Sequence, residues 1–104
     1  MFAAEAEKWS GKGNVLIFQT GMEADSVRRL ADAVMQTCGG RCAVFSENAD
    51  GSFKYAMGEN AGDLRQLTKE MNNALNGRGG GKPFFVQGSV QASKEEIRKF
   101  FEKL

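Results

Sequence analysis

The 104 residues suffice for one domain, and 41% hydrophobic residues with eight phenylalanines provide one core without disulfide or metal staples. The net charge of +1 advertises no polyanionic partner, and the lack of any histidine excludes Ser-His and Cys-His nucleophile pairs and removes the commonest metal ligand. Charge is nevertheless uneven: Gly77 to Leu104 carries six Lys/Arg against three Asp/Glu, whereas the first 76 residues carry eight against ten.

In chain order, Met1 to Lys8 is Ala/Glu-rich and predicts the tail of a helix, ended by Gly11-Lys12-Gly13. Such a helix, two turns long and without a cap, reads as a truncated linker over residues 1–13, with Trp9 sealing the join to a preceding domain. Val15 to Phe18 is a short apolar run and predicts a buried strand. Val27, Leu30, Ala31, Val34, Met35 and Cys38 recur at three- and four-residue spacing, which predicts a helix from Glu23 to Thr37 with one apolar face, stopped by Gly39-Gly40. Arg41 to Glu47 predicts a second strand, Asn48-Ala49-Asp50-Gly51 a hairpin turn, and Ser52 to Gly58 the returning strand. A second helix is expected from Ala61 to Leu75, capped by Asn60, with Asp63 favourably placed at its N-terminus. A strand from Phe84 to Ser89 follows, and Ser93-Lys94-Glu95-Glu96 is a capping box that opens a last helix packing Ile97, Phe100, Phe101 and Leu104 inward. The expected class is α/β, a small mixed β-sheet packed with helices in the order β-α-β-β-α-β-α.

Between the second helix and the last strand lies the most informative stretch, Asn76-Gly77-Arg78-Gly79-Gly80-Gly81-Lys82-Pro83. Glycine lets a backbone come close to a partner. Successive amides of a glycine loop can form a concave nest for anionic oxygen, here bracketed by Arg78 and Lys82. The stretch is neither a phosphate-binding P-loop nor a dinucleotide fingerprint, because Lys82 leads into Pro83 and a strand where those motifs lead into a helix. It suggests a place where phosphate is held and not one where bonds break. The candidate nucleic-acid-binding set is Arg78, Gly79, Gly80, Gly81, Lys82, Gln87 and Gly88, with Gln87 the candidate for a selective hydrogen bond to a base edge or hydroxyl. Phe84 and Phe85, if both in a strand, face opposite ways, which leaves one exposed beside the loop. No catalytic or metal site is expected: Cys38 and Cys42 without histidine cannot close a zinc site and read as small half-buried residues, and Asp25, Asp32, Glu47 and Asp50 form no defensible acid/base or metal spacing. With no signal-peptide pattern and no long apolar span, the expected location is the cytoplasm, with no membrane partner.

Gly77 to Pro83, followed by an apolar pair and Gln87-Gly88, resembles the C-terminal motif of the DHH-associated domain of alanyl-tRNA synthetases. Extended by Met71-Asn72 upstream and Phe85 to Val90 downstream, the run is most similar to stand-alone alanyl-tRNA editing proteins of the long form, and the resemblance covers residues 14–104. It implies a non-catalytic accessory domain that binds tRNA, tRNA(Ala) in particular. The parent protein would hydrolyse mischarged Ser- or Gly-tRNA(Ala), and the zinc site of that hydrolysis, built from His and Cys ligands, would lie in an upstream domain of the same chain. Phe84 departs from the synthetase pattern, where an aspartate usually follows the proline. Two other readings remain: a dimerisation or protein-interaction module, and the substrate lid of a DHH-type phosphoesterase. The last lacks support in the motif, since Lys82-Pro83 stands where that family's glycine motif ends in histidine.

Overall fold

The computed structural model describes residues 11, 13–59 and 62–103. The helix expected over Met1 to Lys8, the seal at Trp9, the cap at Asn60, the helix start at Ala61 and the inward Leu104 lie outside them. The elements are β1 (Gly13–Thr20), α1 (Ala24–Cys38), β2 (Gly39–Glu47), β3 (Phe53–Glu59), α2 (Arg65–Ala74), β4 (Gly77–Lys82), β5 (Phe85–Val90) and α3 (Lys94–Glu102). They build the α/β class expected, one mixed sheet in the order β1-β2-β3-β5-β4, in which only β1 and β2 run parallel.

The correction is one strand. The glycine stretch, expected as a loop, is β4, so the order is β-α-β-β-α-β-β-α. It pairs antiparallel with β5 along its whole length, from Gly77 opposite Val90 to Lys82 opposite Phe85, around a two-residue connection at Pro83-Phe84. The last strand therefore begins at Phe85, one residue later than expected, and Phe84 sits in the turn.

Side-chain alternation along the strands sorts the core onto two faces. On one, α1 lays Val27, Leu30, Ala31, Val34, Met35 and Cys38 against Val15, Ile17, Cys42, Val44 and Ala56. On the other, α2 and α3 cover Ala43, Phe45, Tyr55, Met57, Val86 and Val90 with Met71, Leu75 and Ile97. Cys38 and Cys42 are free thiols buried in the first of these layers, and burial, with Cys38 nearby, pushes the Cys42 thiol up to about 12. The expected stops and starts form. Gly39 ends α1, the Asn48 amide donates to the Ser52 carbonyl to close the hairpin (2.7 Å), and the Ser93–Glu96 box opens α3. Helix α2 starts later than expected because the Leu64 amide is taken by the Pro83 carbonyl (2.6 Å), which anchors the residue before the helix to the β4–β5 turn.

The β4–β5 hairpin is tight where Gly79 faces Gly88. A Cβ on Gly88 would collide with the Arg78 carbonyl oxygen and lie 2.8 Å from the Tyr55 hydroxyl, whereas a Cβ on Gly80 meets nothing within 4 Å. Overpacking of this kind costs about 1–3 kcal/mol. We expect Gly88→Ala to lower the urea-unfolding free energy by about 2 kcal/mol and Gly80→Ala to change it by less than about 0.5 kcal/mol.

Candidate nucleic-acid interface

Strand β4 is the outer edge of the sheet, and it is exposed from Arg78 to Lys82. Its residues alternate. Gly77, Gly79 and Gly81 share the face of Val90, Gly88 and Val86, toward α2, while Arg78, Gly80 and Lys82 share the opposite face with Ser89, Gln87 and Phe85.

The inner row is glycine for steric reasons. A Cβ at Gly77 would lie 2.8 Å from Asn72 Oδ1, at Gly79 2.5 Å from the Tyr55 hydroxyl, and at Gly81 2.6 Å from the Phe85 carbonyl oxygen. These contacts belong to packing, as does Gly88, so packing explains three of the seven sequence candidates: Gly79, Gly81 and Gly88. Gly80 is different, since neither a positive φ nor a neighbour requires glycine there. Nor does the backbone present a nest: in an antiparallel strand successive N–H groups alternate in direction, so only every second one faces the open edge.

A groove runs along each side of this edge. Toward α2, a space of about 360 Å³ is lined by Arg65, Thr68, Lys69, Asn72 and Asn73 opposite Gly79 to Gly81. Toward α1, a space of about 370 Å³ is lined by Arg28, Asp32, Met35, Phe84, Phe85 and Gln87 with Gly80 to Lys82. Arg78 lies beyond both, in a smaller recess with Asn76, Ser89 and Gln91. Four of the seven candidates, Arg78, Gly80, Lys82 and Gln87, thus share one face of the hairpin, and Gly79, Gly81 and Gly88 lie on the other as packing residues.

The cations differ in what holds them. Asp63 binds Arg65 (2.7 Å), and the hydrogen bonds from Arg65 push the Asp63 carboxyl down to about 2. Asp25 binds Arg28 and Arg29 (2.9 Å each), and its carboxyl is likewise lowered, mainly by the Arg28 hydrogen bond. Among the described residues no ion pair engages Arg78, Lys69 or Lys82; the Lys82 ammonium stands 5.8 Å from the centre of the Phe84 ring. These free charges are available to an anionic ligand. Among the described residues no three His, Cys, Asp or Glu side chains converge to hold a metal, and the buried thiols are poor ligands, so this part of the chain does not fit a zinc site. No described helix is long and apolar enough to cross a membrane.

Sequence reasoning passed over Arg65, Lys69 and Asn73 and gave Asn72 no role in the site; the only local signal was a polar helix face at four-residue spacing, which ordinarily means solvent.

Comparison with known proteins gives the family and the fold. The pattern of the DHHA1 domain matches residues 12–104. An alanine–tRNA ligase of Acholeplasma laidlawii (strain PG-8A) is 29% identical over 76 residues, which is 73% of this chain but only 9% of that protein. The crystal structure of the C-Ala domain from Aquifex aeolicus alanyl-tRNA synthetase superposes with a TM-score of 0.71 at 20% identity, over 86% of this chain and 87% of that one, and so shares the fold.

The Asp63–Arg65 pair sets a pH signature. A carboxyl lowered in the folded state contributes stability above its ordinary value of 3.8 and loses that contribution as pH falls toward about 2. Carboxyl-carbon NMR should place the Asp63 midpoint at about 2 and return it toward 3.8 in Arg65→Ala.

Proposed function

This chain belongs to the DHHA1 domain family, and on that premise we propose that it is a non-catalytic accessory domain that binds tRNA along the β4 edge. The observation that carries the reading is Gly80. The fold has no use for a glycine there, yet the residue sits exposed between Arg78 and Lys82, where a bare backbone admits a phosphodiester chain. Arg78 and Lys82 pair with phosphates, the outward amides of the glycine strand donate to phosphate or ribose oxygens, and Gln87 makes the more selective hydrogen bond. Phosphate contacts supply affinity and register with little sequence information.

Support for tRNA over other polyanions comes from the company the domain keeps, an alanine–tRNA ligase in sequence and an alanyl-tRNA synthetase domain in fold. In this reading the residues before β1 are a linker and the rest, from Gly13, is the binding domain. The parent protein is a cytoplasmic alanyl-tRNA editing enzyme that cleaves mischarged Ser- or Gly-tRNA(Ala). Its zinc chemistry would lie in an upstream domain of the same chain. A second reading has one observation in its favour: β4 is an open edge strand, the kind of element through which two copies of a domain can pair.

Binding to labelled tRNA(Ala) and a non-cognate tRNA across a salt series separates the two. We expect affinity to fall with salt, and Arg78→Ala/Lys82→Ala to lower the slope of log K against log [salt] by about two. Gly80→Ala should weaken binding while leaving stability intact. Absence of binding to either tRNA at low salt, in a chain that sediments as a dimer, would overturn the proposal in favour of the interaction module.

A further inference from the structure

The two grooves are not equivalent, and their difference assigns parts of a ligand. The α2 groove has two cations, Arg65 and Lys69, two asparagines and no carboxylate in its lining. The α1 groove has an apolar floor of Met35 and Phe85, the exposed amide of Gln87, the cations Arg28 and Lys82, and the carboxylate of Asp32. Arg65 is held by Asp63 and Arg28 by Asp25, which leaves Lys69 unopposed in the first groove and Lys82 offset by Asp32 in the second, so a phosphate is favoured more in the first. An uncharged ring with hydrogen-bonding edges suits the second.

Phe84 supplies the platform for such a ring. Among the described residues it is the one large apolar side chain recorded as exposed, at 45%. Its backbone is fixed from both sides, because the Leu64 amide donates to the Pro83 carbonyl (2.6 Å) and the Glu59 amide to the Phe84 carbonyl (3.0 Å). An aromatic ring on an anchored turn, 5.8 Å from the Lys82 ammonium, matches the combination of stacking surface and cation that single-stranded nucleic acid uses. Gly80 lines both grooves, so a chain can cross the strand at that point without meeting a side chain.

The geometry points to a site for one unpaired nucleotide of RNA: its base stacks on Phe84 in the α1 groove with Gln87 at its edge, and the adjoining phosphates pass over Gly80 to Lys69 in the α2 groove. This rests on the nucleic-acid reading of the β4 edge and narrows it from any polyanionic surface to a looped-out or single-stranded element. Bases inside a duplex are stacked on their own neighbours and cannot enter.

The test measures fluorescence anisotropy of the full chain with a short labelled single-stranded RNA and with the same strand in a duplex, over a salt series. The expected result is that Phe84→Ala weakens single-strand binding about tenfold, the size of one stacked base, with an unchanged salt slope. Phe84→Tyr should retain affinity, and Lys69→Ala should lower the slope by about one. Duplex binding should be weaker and indifferent to Phe84. If RNA binds but Phe84→Ala matches the wild type, or duplex and single strand bind alike, the nucleotide site is wrong while the phosphate-binding edge stands. If neither RNA binds at low salt, the underlying reading fails and takes this one with it. A change of oligomeric state in Phe84→Ala would assign the exposed ring to a second copy of the chain instead.

Discussion

The hydroxyphenyl group of Tyr55 lies across two facing glycines, and the rest of the candidate site is hung from that contact. Phe45, Tyr55, Gly88 and Gly79 form one row across β2, β3, β5 and β4. Because neither glycine has a Cβ, the Tyr55 hydroxyl can reach past β5 and donate to Asn72 Oδ1 (3.2 Å), and Asn72 Nδ2 in turn donates to the Gly79 carbonyl (3.5 Å). Burial raises the Tyr55 pKa, so the phenol stays a neutral donor. Burying an aromatic ring is worth about 2–3 kcal/mol and a net hydrogen bond about 1 kcal/mol. The ring therefore supplies most of the stability, and the Asn72 bridge supplies position: it fixes how far α2 stands from the sheet edge, and hence the width of the groove between them.

That packing changes the meaning of the glycines. A run of four within five residues invites an explanation by ligand, yet Gly77, Gly79 and Gly81 are explained by what already touches them. Only Gly80 is left over. A paired strand also offers an anion alternate amides along a line, where a loop would offer consecutive amides around a hollow. Recognition then has to come from the side chains that flank the edge, and these lie on two helices distant in sequence.

The legible parts of the fold were those with a local cause. All six buried positions of α1 follow from a helical repeat, the α3 start from a capping box, and the β2–β3 hairpin from Asp50-Gly51. Strand β4 had no local cause. Glycine is a poor strand former and Arg78 and Lys82 show no alternation with apolar residues, so the strand exists because β5 and α2 are there to receive it, which is information held elsewhere in the chain. The late start of α2 has the same origin, a non-local bond from Leu64 to Pro83. Arg78, Lys82 and Gln87 could be picked out by residue type beside the glycines, but the partnership of Lys69 with them is a tertiary fact, and on the sequence Lys69 is one more solvated lysine.

The ion pairs decide how strong such an edge can be. Near β4 the described residues include five cations on or beside the grooves, and acidic neighbours occupy two of them: Asp25 holds Arg28 and Asp63 holds Arg65. Exposed pairs of this kind contribute little to stability, but each removes a positive charge from competition for phosphate. With a net charge of only +1 there is also little long-range attraction to compensate. On the tRNA-binding reading, an edge with three such cations would hold a polyanion weakly. Weak binding is a handicap in a domain acting alone and an advantage in one tethered to another that holds the same ligand, where linkage raises the effective concentration far above that of the free ligand. On the tRNA-binding reading, the acidic residues that quiet Arg28 and Arg65 are part of the design: the tether supplies the affinity, and the domain supplies the position at which the RNA is held.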